Sequence, residues 1–158
     1  MNREHLYNTE LVWTGNRGEG TSAYRTYDRD HIISIPGKPD IPGSSDPSFR
    51  GDRSRYNPEE MLVSSLSACH MLWYLHVCSD GVIIVTAYSD AATGTMQETA
   101  EGGQFTGVTL HPRVTVLKQE MISQAYTLHE KAHALCYIAR SVTFPVHHEP
   151  VCASEEKE

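Results

Sequence analysis

Alternating hydrophobic and polar positions mark the first part of the chain as β-rich. Between residues 9 and 35 the segments ELVWTG, TSAYRTY and HIISI are separated by polar turns, and they predict two or three strands. Residues 36–57 are dense in proline, glycine, serine and aspartate, which continue neither a helix nor a strand. A loop of this length is either a solvated connector or a functional lid, and both interpretations stay open.

The hydrophobic pattern then changes to that of a long helix. Asn57 is suited to cap its start, Pro58 to fill its first position, and Glu60 to reach back to the cap amide. We expect the helix to run from Pro58 to about Ser79. Beyond the first turn it is apolar nearly all round, so nearly all of its surface should be covered by other parts of the protein.

A second alternating region follows, and then a second helix. The segments VIIVTAYSDAA, TGTMQETA and QFTGVTLHPRVTVL predict a meander of strands, in which Pro112 indicates an edge or a bulge. Residues 122–140 predict a helix with one buried stripe. The stripe consists of Ala125, Leu128, Ala132, Leu135, Cys136 and Ala139. The segment SVTFPV is expected to return as a strand.

The order of these elements, strands, helix, strands, helix and strand, predicts an α+β fold. A chain of 158 residues is long enough to bury one hydrophobic core. We therefore expect a single domain over residues 1–150, followed by a polar tail over residues 151–158.

Charge and composition narrow the partners and the compartment. The net charge of −7, without an extended basic face, argues against nucleic acid as a partner. The N-terminal segment lacks the apolar stretch of a secretion signal and the four cysteines form no CxxC pairs, so we expect a cytoplasmic protein. Residues 61–78 carry no formal charge and reach the membrane-spanning length of about 18 residues. Their serines and histidines, and the lack of a basic flank, argue against a membrane.

Cys69, in the middle of the first predicted helix, is either a small apolar filler or a nucleophile. It lies twelve residues into the helix, too far from the N-terminus for the helix dipole to activate its thiol. His70 points about 100° away around the helix, so activation needs a cation from elsewhere. Cys136, on the buried stripe of the second helix, is the natural partner of Cys69. We interpret Cys78 and Cys152 as fillers.

Histidines near the second predicted helix suggest a metal alternative. His129 and His133 are four residues apart, with Cys136 three residues further on, and this spacing could hold zinc. The sequence contains neither HExxH nor a paired CxxC, and Cys136 is only loosely in phase with the two histidines. The preferred interpretation therefore includes no metal and no cofactor. His147 and His148 are expected at the surface end of a strand.

Two segments and the element order point to a known family. The segments NPEEMLVSSLSACH and AHALCYIARSV, with a β-rich region before the first helix, resemble the OsmC/Ohr family of thiol-dependent peroxidases. The resemblance covers most of the chain and implies antiparallel β-sheets wrapped around a long buried central helix. It also implies that Cys69 attacks an organic hydroperoxide, that Cys136 resolves the product, and that Glu59 supports the reaction.

The same resemblance implies an arginine beside the attacking thiol. A guanidinium offers positive charge both to a thiolate and to the oxygen that leaves. The segment TGNRGEG resembles the family's glycine-flanked arginine turn and nominates Arg17. The loop before the first helix offers Arg50 as the next choice, with Arg53 and Arg55 behind it, and Arg25 lies on a predicted strand.

Helix length makes a dimer the expected assembly. Ten residues of helix span about 15 Å, so Glu59 cannot reach Cys69 along one straight helix. Two antiparallel copies that cross near Ser64 and Ser65 would bring each Glu59 close to the Cys69 of the other copy. The pairing would also cover the second face of an apolar helix, and we therefore predict an intertwined homodimer.

Peroxide reduction leaves a sulfenic acid at Cys69, which Cys136 can convert to a disulfide. An external dithiol must then regenerate the protein, and the resemblance suggests a reductant of the lipoyl type. Two alternatives stay open. One is a non-catalytic ligand-binding protein on the same dimeric scaffold, and the other is a metal-dependent enzyme at His129, His133 and Cys136.

Overall fold

The structure, a computed structural model, describes residues 3–156 and shows an α+β fold. Within these residues there are nine strands and two α-helices. The strands are β1 Glu10–Trp13, β2 His31–Ser34, β3 Ile41–Gly43, β4 Val85–Asp90, β5 Thr93–Thr99, β6 Gly102–Leu110, β7 Pro112–Val116, β8 Val146–His148 and β9 Val151–Ser154. The helices are α1 Pro58–Asp80 and α2 Ile122–Leu135. Contacts divide the chain into two compact units, one ending at Met61 and one beginning at Leu62.

The first unit contains an antiparallel sheet in the order β1-β2-β3. The strands expected from ELVWTG and HIISI are confirmed as β1 and β2. The strand expected from TSAYRTY is wrong, because residues 21–26 form turns and bends and Tyr27 makes only an isolated bridge to Asn16. The Thr26 hydroxyl donates to the carbonyl of Ala23 at 2.9 Å and accepts from its N–H at 3.1 Å. These local bonds give the backbone an alternative to a β-ladder.

The loop at residues 36–57 contains more structure than its composition predicts. It includes the short edge strand β3 and a 3-10 helix over Pro47–Phe49. The Asp46 carboxylate caps this 3-10 helix by accepting from the backbone N–H of Ser48 at 2.7 Å. Pro42, in the middle of β3, hides the strand from sequence analysis and is tolerated because β3 lies at the edge of its sheet.

The predicted start of α1 is confirmed. The backbone N–H of Glu60 donates to Asn57 Oδ1 at 2.8 Å, and the backbone N–H of Asn57 donates to Glu60 Oε2 at 3.3 Å. This reciprocal arrangement is a capping box, and it satisfies two amide groups that a helix start leaves unpaired. The helix ends at Asp80, one residue beyond the expected end.

Within the chain, α1 is covered along one stripe and not all round. The buried residues of α1 are Leu66, His70, Tyr74, Val77 and Cys78. On another face Leu72 is 63% exposed and Leu75 is 36% exposed. By length and composition α1 could cross a membrane, a property that it shares with core helices of globular proteins. The apolar face of α1 that carries Leu72 and Leu75 therefore lacks a cover within the second unit.

The second unit contains two mixed sheets, in the orders β4-β7-β9 and β5-β6-β8. Strands β5 and β6 form an antiparallel hairpin, whereas β4 pairs antiparallel with β7 and not with the next strand in sequence. The expected meander is therefore wrong, because the hairpin β5/β6 belongs to one sheet and its flanking strands β4 and β7 belong to the other. Strands β8 and β9 pair in parallel with β6 and β7. The chain reaches β8 and β9 only after the long connection through α2, and a connection of this kind allows a parallel pairing.

The C-terminal segment corrects two expectations. The polar tail expected from residue 151 is wrong for Val151–Ser154, which form β9, while residues 157–158 lie outside the described residues. Cys152 points inward and is 8% exposed, and its backbone N–H donates to the Tyr126 hydroxyl at 3.1 Å. The expected strand SVTFPV begins only at Val146. Both strands are three or four residues long, so they depend on partners that are distant in sequence.

Helix α2 is shorter than predicted, because it ends at Leu135 and not at residue 140. Cys136 has an extended backbone with φ −66° and ψ 110°, and a 3-10 helix follows over Ala139–Ser141. The backbone N–H of Cys136 donates to the His133 carbonyl at 3.2 Å, which tightens the last turn. Cys136 therefore stands at the end of α2 and not on its side.

Two hydrophobic clusters pack against α1 in the second unit. The larger includes Tyr74 and Val77 from α1 with residues of β7 and α2, and the smaller joins Leu66 to Val108 and Leu110 of β6. Cys69 lies on α1 between the turns that carry Leu66 and Tyr74. The packing on both sides fixes the rotation of the helix at this position.

Candidate functional site

Cys69 and Cys136 meet in the second unit. The Cys136 thiol is in hydrogen-bonding contact with the Cys69 sulfur. Cys69 is half-buried on α1, whereas Cys136 is 1% exposed at the end of α2. Both are free thiols. The structure therefore brings together the two thiols that the sequence singled out, and it leaves the Cys69 side of the pair open to solvent.

The surroundings of Cys136 favour its neutral form. Burial raises the pKa of the Cys136 thiol to about 11, and its contact with Cys69 also raises it. The backbone N–H groups of Ala139 and Ile138 donate to its sulfur and act in the opposite direction. At neutral pH Cys136 is thus a protonated thiol beside a more accessible partner.

Glu59 lies on the first turn of α1, in the first unit, and is half-buried. Its Oε2 atom is buried and has no hydrogen-bond partner among residues 3–156. A buried carboxylate oxygen without a hydrogen bond destabilises the folded state. Glu59 Oε2 can therefore accept a hydrogen bond from a further donor. Its role beside Cys69 stays a prediction.

The two predicted arginines also belong to the first unit. The Arg17 guanidinium donates to the carbonyl of Thr26 at 3.3 Å and to that of Arg25, and its Nε lies 3.7 Å from Asp28 Oδ2. Arg17 is therefore held by its own loop and remains half-exposed. Arg50 follows the 3-10 helix with a left-handed backbone, φ 66°, and is exposed. Neither assignment is tested by this arrangement.

Arg55 is more firmly held than the two arginines that sequence analysis preferred. Its Nε lies 3.2 Å from Asp30 Oδ2 and 3.6 Å from Asp52 Oδ2, and its side chain is 27% exposed. Its Nη1 atom is buried without a hydrogen-bond partner in the described part of the chain. The spacing of Asp52 and Arg55 in GDRSR is the one local signal that pointed to this pair.

Next to Cys69, a group of four histidines was missed by sequence analysis. His70 of α1, His129 and His133 of α2, and His148 of β8 form what we call the histidine cluster. The His70 Nε2 and His129 Nδ1 atoms are 3.0 Å apart, and the His148 ring centre lies 5.5 Å from that of His70. The expected surface position of His148 is wrong, since its side chain is 10% exposed. Val146 and His148 are both half-buried on β8, but a strand of three residues is too short for this alternation to be read from the sequence.

Burial disfavours the protonated, charged form of the histidines in the cluster. Burial, assisted by the charges of His148 and His133, lowers the pKa of His70 to about 4. Burial likewise lowers the pKa of His129 to about 3, assisted by His70 and His148. No group of three or more histidine, cysteine, aspartate or glutamate side chains within residues 3–156 has a geometry suited to a metal ion. The zinc spacing of His129, His133 and Cys136 does not form such a site.

Comparison with known proteins follows from this geometry and topology. Residues 51–150 match the family model described as OsmC-like protein. The chain belongs to the OsmC-like family. This membership confirms the resemblance drawn from the sequence, and the α+β architecture agrees with the fold of the family's solved structures.

Three solved structures illustrate the range of this OsmC-like family. An OsmC-like protein of unknown function from Vibrio cholerae shares 27% identity, covers 94% of this chain and 100% of its own, and has a TM-score of 0.84. An organic hydroperoxide resistance protein OsmC from Legionella pneumophila shares 22% identity over 96% of this chain and 99% of its own, with a TM-score of 0.68. An organic hydroperoxide resistance protein from Elizabethkingia anophelis shares 18% identity over 98% of this chain and 100% of its own, with a TM-score of 0.67. No curated protein matches this sequence.

Proposed function

We propose that this OsmC-like protein is a thiol peroxidase that reduces organic hydroperoxides to alcohols. The observation that carries the proposal is the contact between Cys69 and Cys136, an accessible thiol beside a buried one. Members of the same family are named organic hydroperoxide resistance proteins, which supports the choice of substrate class. Apolar residues on α1 next to Cys69, such as Leu66 and Leu72, favour an alkyl hydroperoxide over hydrogen peroxide.

In the first step the Cys69 thiolate attacks the distal oxygen of the hydroperoxide. The O–O bond breaks, an S–O bond forms, and the alkoxide leaves as an alcohol after taking up a proton. The departing oxygen needs positive charge or hydrogen-bond donors beside it. We assign this role to Arg17, with Arg50 as the next choice, and we assign Glu59 to orient the guanidinium through a forked ion pair.

In the second step Cys136 resolves the sulfenic acid on Cys69. The Cys136 sulfur attacks the Cys69 sulfur, a disulfide forms, and the sulfenic hydroxyl leaves as water with the proton of Cys136. Because burial raises the pKa of Cys136 to about 11, this residue keeps its proton until the hydroxyl can accept it. An external dithiol, which we propose to be of the lipoyl type, reduces the disulfide. The scheme uses no metal and no cofactor.

We further propose that the working unit is an intertwined homodimer in the cytoplasm. The exposed face of α1 presents Leu72 and Leu75, and a shallow groove there is lined by Leu72, Trp73 and His76. A second α1, antiparallel and crossing near Ser64, would bury this face by the hydrophobic effect. Such a crossing would also bring Glu59 of each copy towards the thiol site of the other.

The test is a peroxidase assay with cumene hydroperoxide and dihydrolipoamide. Cys69→Ser is expected to lose turnover by about a thousandfold or more, because the attacking sulfur is gone. Cys136→Ser should turn over slowly and accumulate sulfinic acid at Cys69, which mass spectrometry detects. Cys78→Ala is the matched control and should retain activity, because Cys78 lies in the core nine residues after Cys69 and half a turn out of phase with it. Undiminished turnover in Cys69→Ser would disprove the proposal.

A further inference from the structure

The histidine cluster ties together the three elements that hold the thiol pair in place. His70 follows Cys69 directly on α1, and the His133 carbonyl accepts the backbone N–H of Cys136 at 3.2 Å. The ring centres of His70 and His129 are 5.3 Å apart, and those of His133 and His148 are also 5.3 Å apart. A movement within the cluster would therefore be transmitted to both cysteines.

The hydrogen bond between His70 and His129 needs one proton between the two facing ring nitrogens. Their facing nitrogens are 3.0 Å apart, so one ring donates and the other accepts. If both facing nitrogens carried a proton, two N–H groups would point at each other and the hydrogen bond would be lost. Every ring of the cluster also has one buried nitrogen without a partner among the described residues, namely His70 Nδ1, His129 Nε2, His133 Nδ1 and His148 Nδ1. A proton added to such a buried nitrogen carries a charge that is neither hydrated nor paired.

The groups that face the cluster offer little compensation for positive charge. The carboxylate in contact with it is Glu130 of α2, whose Oε1 lies 3.6 Å from His148 Nε2 but whose side chain is 79% exposed. From α1, the Tyr74 ring stacks on His129 with ring centres 3.9 Å apart, and Tyr88 of β4 lies behind Tyr74. His147, next to His148, adds further positive charge when it is protonated. Charge that enters the cluster is therefore repelled within it and screened only at its edge.

We propose that the histidine cluster is an acid-operated latch: when its rings take up protons, α1, α2 and β8 separate and Cys136 moves away from Cys69. Acidification would then interrupt the resolving step of the proposed peroxidase while leaving the attacking thiol on α1. Only the effect of acid on the resolving step rests on the proposed function. Its opening is a property of the fold and can be measured without any turnover.

The sign and range of the pH effect follow from the depressed pKa values. Histidine has a pKa of 6.5 in its ordinary state, whereas burial lowers the pKa of His70 to about 4 and that of His129 to about 3. The folded state therefore binds fewer protons than the open state below pH 6.5. The stabilisation by the cluster is complete above that pH and is lost as the pH falls towards about 4 and then about 3.

The experiment is an acid titration of the full chain, read by two signals that do not depend on peroxidase activity. In a Trp13→Phe background, fluorescence reports the environment of Trp73, which packs against the core beside the cluster. Labelling with 4,4′-dithiodipyridine, followed by peptide mapping, reports the exposure of the buried Cys136. We expect both signals to change together in one transition below pH 6.5 that takes up more than one proton.

The decisive variant is His70→Phe/His129→Phe, which replaces both bonded rings by apolar rings of similar shape. It should move the transition to lower pH by about one unit or more, because two proton-binding groups with depressed pKa values are removed. The control is His5→Gln, an exposed histidine that belongs neither to the cluster nor to the proposed interface, and it should leave the midpoint unchanged. If circular dichroism shows that the double variant does not fold, His148→Phe replaces it and should give a shallower transition at lower pH.

Four outcomes would overturn the latch. They include an unchanged midpoint in the folded cluster variant, an equal shift in His5→Gln, and fluorescence that changes without labelling of Cys136. One equivalent of zinc bound at neutral pH by the wild type and not by the double variant would also overturn it, in favour of a metal site. A working latch in a protein without peroxidase turnover would instead reject the proposed function alone.

Discussion

Two pairs of thiols each have one member on α1, Cys69 in one pair and Cys78 in the other, and the pairs differ in solvent access more than in chemistry. Cys69 and Cys136 are in contact, with Cys69 half-buried. Cys78 and Cys152 both lie in the larger hydrophobic core, 1% and 8% exposed. The Tyr74 hydroxyl forms hydrogen bonds with both of these core thiols, whereas backbone N–H groups approach Cys136. The comparison separates a reachable thiol site from a sealed one on the same helix.

The difference teaches that burial alone does not distinguish Cys136, the proposed resolving cysteine, from a cysteine that only fills the core. Burial raises the pKa of Cys136 to about 11 and that of Cys152 to about 11 as well. What differs is the neighbouring thiol. Cys136 contacts Cys69, which solvent can reach, whereas Cys152 lies near the buried Cys78. We therefore locate reactivity in the exposure of Cys69 and not in any special property of its partner.

The largest effect that would sharpen this comparison is expected from removing the positive charge proposed for the Cys69 site. Arg17→Met should lower kcat/KM for cumene hydroperoxide by about a hundredfold, because the leaving oxygen loses its cation. Arg17→Lys should recover part of the loss, since it restores charge without the fork. Steady-state kinetics with dihydrolipoamide measures both.

Arg55→Met is the matched control for this arginine test. Arg55 is held by Asp30 and Asp52, so its loss should lower the free energy of unfolding while kcat/KM falls much less. The opposite ranking, with Arg55→Met inactive and Arg17→Met unaffected, would transfer the catalytic assignment from Arg17 to Arg55.

An intermediate effect, on stability, is expected from a change beside the buried thiols Cys78 and Cys152 that leaves Cys69 and Cys136 intact. The Tyr74 hydroxyl donates to the Ala125 carbonyl at 3.1 Å and is fully buried. Tyr74→Phe removes this bond and the bonds of the hydroxyl to Cys78 and Cys152, and it should lower the free energy of unfolding by about 1 to 3 kcal/mol, measured by urea denaturation. Peroxidase turnover should change by less than about twofold, because the deleted hydroxyl touches neither reacting sulfur.

Tyr137→Phe is the control for Tyr74→Phe, because the Tyr137 side chain is 65% exposed. Its effect on stability should stay within about 0.5 kcal/mol. A large loss of turnover in Tyr74→Phe with unchanged stability would break the separation between the two sets of thiols.

Local signals predicted the parts of the fold that local interactions determine. The start of α1 was predictable because Asn57 and Glu60 bond to each other across three residues. The pairing of Cys69 with Cys136 was accessible through the spacing of two motifs in the family. The four-residue strand β9 and the three-residue strand β3 were not predictable, because their stability comes from pairing with strands distant in sequence.

The histidine cluster shows why the interior of the site was harder to predict than its thiols. His129 follows a member of the predicted buried stripe of α2 but was not assigned to it, and a histidine there gives no sign of which ring it meets. His148 belongs to a three-residue strand, too short for alternation to reveal its inward direction. The end of α2 was misplaced for a related reason, since the extended backbone of Cys136 is set by its tertiary contacts.

The smallest effect concerns the turn that fixes the end of α1 next to Cys78. Val82 has φ 57°, a left-handed conformation that a β-branched residue adopts at a cost, and it is 77% exposed. The following N–H, of Ile83, donates to the Cys78 carbonyl at 2.9 Å, so the turn is needed to close the helix. Val82→Gly should raise the free energy of unfolding by about 0.5 to 1 kcal/mol, since relief of strain outweighs the added chain entropy. Urea denaturation measures the gain, and Val82→Ala, which keeps a Cβ in the same conformation, should gain less. A loss of stability in Val82→Gly would mean that the exposed valine makes contacts in an assembly, which would favour the dimer over strain as the reason for its presence.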